Sequence, residues 1–180
     1  MDNIANTIEA RMNVLFGQPI SSFNMVAGML CLHFGELHEH VLPGKPSGQI
    51  GSWMLHVQCP WRFELQGAIY VGCDDLWGVN SSESAPAEEG DGKTKGTLSV
   101  ARINGLFGNR TGLDHSHTSS DFFIVKKVSA NEFGDVRIDL LSGLCFTLFS
   151  ASYVGECWRF FSRKRDGKHL VVEGGKCAFN

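Results

Sequence analysis

Hydrophobic and polar side chains alternate most regularly in the region 51–77. The apolar positions of this alternation are Trp53, Leu55, Val57, Cys59, Trp61 and Phe63. A period of two residues is typical of a β-strand with one buried face. A second short strand, residues 69–73, follows across Gln66 and Gly67. The pattern therefore predicts a hairpin at the centre of a sheet.

Near the start of the chain, apolar residues recur three or four positions apart, at Ile4, Ile8, Met12 and Leu15. This spacing predicts an amphipathic helix of about three turns. Asp2 or Asn3 is suited to capping its start, and Gly17 and Pro19 are suited to ending it. The helix is the natural cover for one face of a sheet.

Residues 23–34 are apolar at both alternations, which predicts one central strand covered on both faces. A polar connection is then expected over residues 37–48. Residues 79–96 are rich in serine, glycine, proline and acid, so a mobile acidic loop is expected there. Thr97 can cap a short helix over residues 98–107.

The last third of the chain predicts an antiparallel meander with turns at residues 131–134 and 142–143. Its alternating apolar positions are Phe122, Ile124, Val128, Val136, Ile138, Leu140, Leu144, Phe146 and Leu148. Trp158 and Phe160 mark a further strand, and Leu170 and Val172 mark the last one. The prediction is a single α+β domain over residues 1–180: a mainly antiparallel sheet with an N-terminal helix and a second short helix.

Composition narrows the class of protein. A net charge of −3 gives no overall attraction to nucleic acid or to a membrane, and neither is expected as a partner. The amino terminus lacks the basic and apolar regions of a secretory signal, so a cytoplasmic location is expected. The six cysteines include no C-x-x-C pair, and buried, reduced thiols are expected rather than disulfides or zinc ligands. Oligomeric state is left open.

Two histidine pairs are candidates for metal binding or acid–base chemistry: His38 with His40, and His115 with His117. Both pairs are expected in loops, without a compact third ligand, so no metal site and no cofactor are predicted. His56, on the less apolar face of the predicted strand, is expected to be structural. An enzyme built from the four loop histidines is kept as an alternative.

Charge is distributed unevenly along the chain. Six acids and no Lys or Arg occur between residues 74 and 92, namely Asp74, Asp75, Glu83, Glu88, Glu89 and Asp91. Such a run can attract a basic partner, although it can also serve only to keep a loop soluble. The cationic stretch at residues 159–168 is interpreted as a charged β-turn rather than a phosphate-binding site.

A family resemblance rests on three stretches. They are G-x-x-x-x-H-V-Q-C-P-W-R at residues 51–62, the strand ending in Asp74-Asp75-Leu76, and E-x-W-R-F-F at residues 156–161. With a short helix and a meander, they resemble small bacterial proteins that look like immunity partners of contact-dependent growth inhibition and other polymorphic toxin systems. The likeness covers most of the chain after residue 50. The polar loops 80–96 and 109–120 depart from it, so it assigns no particular toxin.

The resemblance implies a small cytoplasmic protein that acts by binding a cognate toxin domain, often a nuclease, and blocking its active site. No catalytic residues are predicted on this hypothesis. The six acids listed above are predicted to form the partner-binding surface. Two alternatives remain: the histidine-based enzyme, and a non-catalytic ligand-binding or scaffold domain.

Overall fold

A computed structural model of the chain describes residues 3–41, 47–76, 102–103, 105, 121–164 and 168–180. The predicted loops over 79–96 and 109–120 lie outside these residues. The predicted helix over 98–107 also lies mostly outside them. Of its described residues, Ile103 is buried in the core, and Arg102 donates a hydrogen bond from Nη1 to the carbonyl oxygen of Tyr70 at 2.7 Å.

The N-terminal helix forms as the spacing predicts. Helix α1 (Ile4–Met12) begins after Asn3, whose Oδ1 accepts a hydrogen bond from the backbone N–H of Ala5 at 3.0 Å. A 3₁₀ turn (Asn13–Leu15) continues it, and a second 3₁₀ turn (Cys73–Leu76) follows later in the chain. Ile8, Met12 and Leu15 are fully buried, so the apolar stripe faces the core. No helix of the described residues is long and apolar enough to span a membrane.

Eleven antiparallel strands in the described residues form two sheets, where the pattern predicted one. The six-stranded sheet has the order β1-β2-β3-β9-β10-β11, and the five-stranded sheet has the order β5-β4-β8-β7-β6. The strands are β1 (Ile20–Val26), β2 (Met29–His40), β3 (Gly48–Val57), β4 (Trp61–Leu65), β5 (Ala68–Gly72), β6 (Val125–Ala130), β7 (Val136–Leu140), β8 (Leu144–Leu148), β9 (Glu156–Ser162), β10 (Leu170–Glu173) and β11 (Lys176–Phe179). The mainly antiparallel α+β prediction is confirmed in outline.

The predicted meander is present as β6, β7 and β8, and the expected turns join them. Side chains from both sheets and from α1 share one apolar core, in which Trp61, Phe63 and Phe146 contact one another. The prediction missed β11, a short edge strand whose residues are mostly exposed. Its sequence therefore carries little of the apolar alternation that marks a strand.

The long alternation through residues 53–63 is not one strand. The chain leaves the six-stranded sheet after β3, turns at Pro60 and enters the five-stranded sheet as β4. At this corner the backbone N–H groups of Gln58 and Cys59 donate to the carbonyl oxygen of Cys157 at 2.9 and 3.1 Å. The alternation continues across the corner because both strands direct the same set of side chains into the shared core.

Residues 23–34 also differ from the prediction, because they form a hairpin and not one central strand. Strands β1 and β2 are joined by Ala27 and Gly28, with φ angles of 49° and 83°. Two consecutive residues with positive φ are typical of a type I′ turn, which suits the twist of a two-stranded hairpin. Strand β2 then continues to His40, so the expected loop over 37–48 is wrong for its first residues.

Replacing Ala27 with asparagine is expected to stabilise the protein. A residue with a Cβ is strained in the left-handed region by about 1 kcal/mol, and asparagine tolerates that region better than alanine. We expect the melting temperature to rise by about 2–4 °C in a thermal unfolding experiment. The same substitution at Ala178, an exposed position in β11, serves as a control and should give no gain. An equal change in both variants would contradict this account of the turn.

Candidate functional site

Two of the six predicted partner-binding acids are in the described residues, at the end of β5. Asp74 and Asp75 form the first turn of the 3₁₀ segment Cys73–Leu76. Asp74 is exposed, whereas Asp75 is half-buried and accepts a hydrogen bond at Oδ2 from the backbone N–H of Gly72 at 2.8 Å. The other four acids, Glu83, Glu88, Glu89 and Asp91, lie outside the described residues. The two aspartates therefore differ: Asp75 supports the backbone at the end of β5, whereas Asp74 is exposed and its Oδ1 accepts a weak hydrogen bond from Cys73 Sγ at 3.6 Å.

Replacing Asp75 with alanine is expected to destabilise the protein, and replacing Asp74 is not. The Asp75 variant loses a hydrogen bond between a carboxylate and a backbone N–H at an edge strand, which corresponds to about 1 kcal/mol for a half-exposed site. Asp74→Ala should change the free energy of unfolding by less than about 0.5 kcal/mol. Urea denaturation measures both changes. Equal losses of unfolding free energy in the two variants would show that the hydrogen bond from Gly72 to Asp75 does not stabilise the fold.

The histidines of the alternative enzyme hypothesis are not brought together in the described residues. His38 and His40 lie in β2 and not in a loop, while His115 and His117 are outside the described part. His38 is half-buried, with Nε2 at 3.0 Å from Ser52 Oγ and 3.9 Å from Glu36 Oε2. Over the described residues, no group of three His, Cys, Asp or Glu side chains is placed to hold a metal ion.

A cluster that sequence patterns did not reveal lies on the outer face of the six-stranded sheet. Strand pairing aligns Cys31, His56, Arg159 and Val171 in one row across β2, β3, β9 and β10. Cys31 and Val171 are buried, yet they do not belong to the core cluster, so they lie on the opposite side of the sheet. We call this set the histidine face: Cys31, His33, His56, Glu156, Arg159, Phe161 and His169. The signal available in the sequence was a polar residue, His33, inside the apolar run of β2.

His33 is held in one tautomer by two hydrogen bonds. Its Nδ1 accepts from the backbone N–H of Gly51 at 3.2 Å, so the ring proton is assigned to Nε2. Nε2 lies 3.1 Å from Asn24 Oδ1 and donates to it. The side chain is 5% exposed, and burial lowers its pKa. His33 is therefore a neutral histidine that bridges β1 and β3 beneath the outer face.

His56 lies at the centre of the histidine face. The rings of His56 and Phe161 are perpendicular with their centroids 4.8 Å apart, and Phe161 also stacks on His169 at 4.3 Å. Burial lowers the pKa of His56 to about 4, and the positive charge of Arg159 acts in the same direction. At neutral pH this group is an uncharged aromatic ring in an aromatic stack.

Arg159 supplies the charge of this face, and it is paired. Its Nε donates to Glu156 Oε1 at 2.6 Å, and its Nη2 donates to Glu156 Oε2. Gln58 Nε2 donates to the same carboxylate at 3.1 Å. The hydrogen bond from Arg159 lowers the pKa of Glu156, so the pair is ionised at neutral pH. A bidentate arginine–carboxylate pair has fixed geometry and presents a flat polar surface.

Cys31 and His56 are direct neighbours across β2 and β3, the arrangement in which a histidine could activate a thiol. Burial, however, raises the pKa of the Cys31 thiol to about 11. Nucleophilic catalysis by cysteine needs a thiolate, which a basic neighbour normally stabilises. This pair holds the protonated thiol instead, so its geometry suits packing better than reaction.

A second polar network covers the outer face of the five-stranded sheet. Glu64 is its centre: Oε1 accepts from Arg62 Nε at 2.6 Å, and Oε2 accepts from Arg137 Nη1 at 3.2 Å. Arg137 also donates from Nε to Asp139 Oδ1 at 2.9 Å. The hydrogen bond from Arg62 lowers the pKa of Glu64. The ion pairs lie within β4 and within β7, and the pair between Glu64 and Arg137 connects these two strands across β8, an arrangement typical of a solvated sheet surface.

The cationic stretch at residues 159–168 begins within β9, and its residues 165–167 lie outside the described part of the chain. Arg159 is paired with Glu156, and Arg163, Lys164 and Lys168 are exposed. The carbonyl oxygen of Lys168 accepts a hydrogen bond from Arg11 Nη2 at 3.2 Å, which ties this segment to α1.

Comparison with known proteins gave no further guidance, because no family model, curated protein or solved structure matches this chain.

Proposed function

We propose that this chain is a cytoplasmic binding protein that neutralises a cognate protein toxin by occupying its active site. The proposal rests on the resemblance of residues 51–62 and 156–161 to immunity proteins of polymorphic toxin systems. Both stretches contribute to the paired β3 and β9 strands, so the matching residues are neighbours in space. Residues in these two strands support the fold, and the residues that select a particular partner are expected elsewhere on the surface.

The observation that carries the proposal is the run of acids that starts at the edge of the five-stranded sheet. Asp74 is exposed at the end of β5, and the chain then continues to residue 92 with five more acids, Asp75 among them, and no Lys or Arg. A single-sign surface raises the rate of association with an oppositely charged partner. A nuclease, whose substrate face is basic, is the class of toxin that such a surface fits best.

The charged groups of the two outer sheet faces also support binding over chemistry. On the histidine face Arg159 is paired with Glu156, and on the second sheet Arg62 and Arg137 are paired with Glu64. These charged groups are held by their hydrogen-bonded partners. A catalytic acid or base, in contrast, usually keeps one position free for transferring a proton. We therefore assign the affinity for the partner to surface contacts.

The first experiment is protection: where a gene beside that of this chain encodes a toxin domain, cells expressing that domain should survive only when this chain is present. Binding kinetics then test the acidic surface. Neutralising Asp74, Glu83, Glu88, Glu89 and Asp91 together should lower the association rate on the order of 10-fold at low salt and flatten its salt dependence. Asp75 is left intact because it supports the edge of β5.

A matched pair of variants controls for total charge. Glu88→Gln with Glu89→Gln removes two acids from the proposed surface, and Glu36→Gln with Glu39→Gln removes two exposed acids from β2. Only the first pair should slow association. Equal effects of the two pairs would mean that net charge alone acts, and an unchanged rate in the five-site variant would exclude this surface. Failure of the wild-type chain to protect or bind would overturn the proposed function itself.

A further inference from the structure

Three loops adjoin one another and hold each other in place. They connect β6 to β7 (residues 131–134), β8 to β9 (residues 149–155) and β10 to β11 (residues 174–175). The carbonyl oxygen of Gly134 accepts from Trp158 Nε1 at 2.9 Å and from Ser150 Oγ at 2.8 Å. The backbone N–H of Ser150 donates to Asp135 Oδ1 at 2.7 Å. Because Trp158 is fully buried, this network attaches the first two loops to the core.

Close main-chain packing fixes the third loop against the second. A Cβ added at Gly174 would lie 2.7 Å from the carbonyl oxygen of Tyr153, and Gly174 has a φ of +56°. A Cβ added at Gly134 would lie 2.7 Å from Val172 Cγ1, with a φ of +86°. Both glycines are required by the approach of a neighbouring element. The loops are therefore preorganised by close packing, Gly174 against the backbone of Tyr153 and Gly134 against the side chain of Val172 in β10.

These fixed loops expose large apolar side chains. Tyr153 is 92% exposed, Val154 is 78% exposed and Phe133 is 62% exposed. Single exposed hydrophobic residues are ordinary on protein surfaces, but here three lie on adjoining loops. Aromatic side chains on a preorganised backbone lose little conformational freedom when they are buried by a partner. They have the character of interface anchors.

We propose that the loop carrying Tyr153 and Val154 (residues 151–155, the Tyr153 loop), together with Phe133 on the adjoining loop, inserts into a cleft on the toxin domain as the apolar anchor of the complex. This inference rests on the proposed function and names the part of the surface that supplies most of the affinity. The acidic run would then govern the rate of approach, and the Tyr153 loop the lifetime of the complex.

Shape and area favour a partner with a cleft over a second copy of this chain. Side chains this exposed project from the surface, and a symmetric dimer would bring the same projecting loops together. The three side chains offer on the order of 400 Å² of apolar surface, about half of what one side of a stable interface buries. Exposed Glu132 is next to Phe133, so the rim of the loops includes an acid that can meet a basic partner, whereas the charge of Glu173 is opposed by Lys176, its partner in the strand pair.

The test compares the affinities of loop variants for the purified toxin domain, made as an inactive variant so that it can be produced safely. Tyr153→Ser with Val154→Ser should weaken binding on the order of 100-fold, mostly through faster dissociation. Tyr153→Phe should retain most of the affinity because the ring is kept. Val26→Ser with Val41→Ser removes two exposed valines from the opposite sheet edge and should change affinity less than about 2-fold.

Thermal unfolding of each variant confirms that the fold is intact, as expected for exposed positions. If wild type binds and protects while the loop variant does so equally well, the inference is wrong and the proposed function stands. If wild type neither binds nor protects, both are overturned. If sedimentation shows a wild-type dimer that the loop variant converts to a monomer, the occupant is a second copy and the cleft inference is overturned.

Discussion

The Gly51→Ala variant is expected to lose about 3 kcal/mol of its free energy of unfolding, the largest loss that we predict for a single methyl group in this chain. A Cβ at this position would lie 2.6 Å from the backbone nitrogen of Phe34 and 2.7 Å from its carbonyl oxygen. Backbone atoms in the middle of a sheet cannot move aside as the end of a side chain can. The strand pair between β2 and β3 would have to separate locally.

Gly51 also lies at an irregular point of the sheet. The register between β2 and β3 shifts between Phe34 and Leu37, and the N–H of Gly51 donates to His33 Nδ1. Displacing the backbone there would therefore also break the bond that holds the tautomer of His33. Two structural features fail together, which is why the effect should exceed that of simple overpacking.

Urea denaturation measures the loss directly, and Gly48→Ala is a matched control. Gly48 lies in the same strand with nothing within 4 Å of its added Cβ, so its replacement should be neutral or slightly stabilising. If both variants unfold at the same urea concentration, the close approach at Phe34 does not constrain the sheet.

Stability is expected to fall as the pH drops from 6.5 to 4, by up to about 3 kcal/mol from His56 alone. The unfolded histidine has its ordinary pKa of about 6.5, and burial lowers the folded pKa to about 4. Between these values the unfolded state binds the extra proton, so acid favours unfolding. Above pH 6.5 His56 is neutral in both states, so its burial does not reduce the free energy of unfolding. Between pH 6.5 and 4 the free energy of unfolding falls as the pH falls. His33, whose pKa burial also lowers, adds in the same direction.

The slope of unfolding free energy against pH is the decisive measurement. His56→Gln should reduce that slope by about one proton in the window. Phe161→Leu removes the ring that His56 contacts and keeps the titrating group, so it should lower stability at every pH while keeping most of the slope. A site-specific NMR titration that found His56 protonated near pH 6.5 in the folded protein would contradict the prediction.

The sequence predicts helix α1, the meander and the location of β9 and β10, because each has a clear apolar period and polar ends. It fails where the chain changes direction without a strong signal. Ala27 and Gly28 form a two-residue turn, but Ala-Gly is a weak turn signature, so residues 23–34 were predicted as one strand. Pro60 was the available sign that β3 and β4 are separate, although the period continued unbroken through it.

The candidate surfaces illustrate a related limit. Asp74 and Asp75 are adjacent in the sequence and chemically identical. The hydrogen bond that the backbone N–H of Gly72 donates to Asp75 distinguishes them, and it is visible only in the structure. The histidine face combines residues from β2, β3, β9 and the segment before β10, and no local pattern joins positions so far apart. Likewise the loops that carry Tyr153 and Phe133 are brought together by the network around Ser150 and Trp158, which joins positions far apart in the sequence.

The corner at Pro60 has a consequence for the order in which the molecule can be built. The backbone N–H of Phe149 donates to the carbonyl oxygen of Pro60 at 2.8 Å, so the outward and return passages between the sheets lie side by side. All strands of the five-stranded sheet, β4 to β8, lie in sequence between these two passages, so they are synthesised before residue 156. Strand β3 pairs with β9, which follows it by almost a hundred residues in the sequence. During synthesis the edge of β3 that pairs with β9 therefore remains unpaired until the chain is nearly complete.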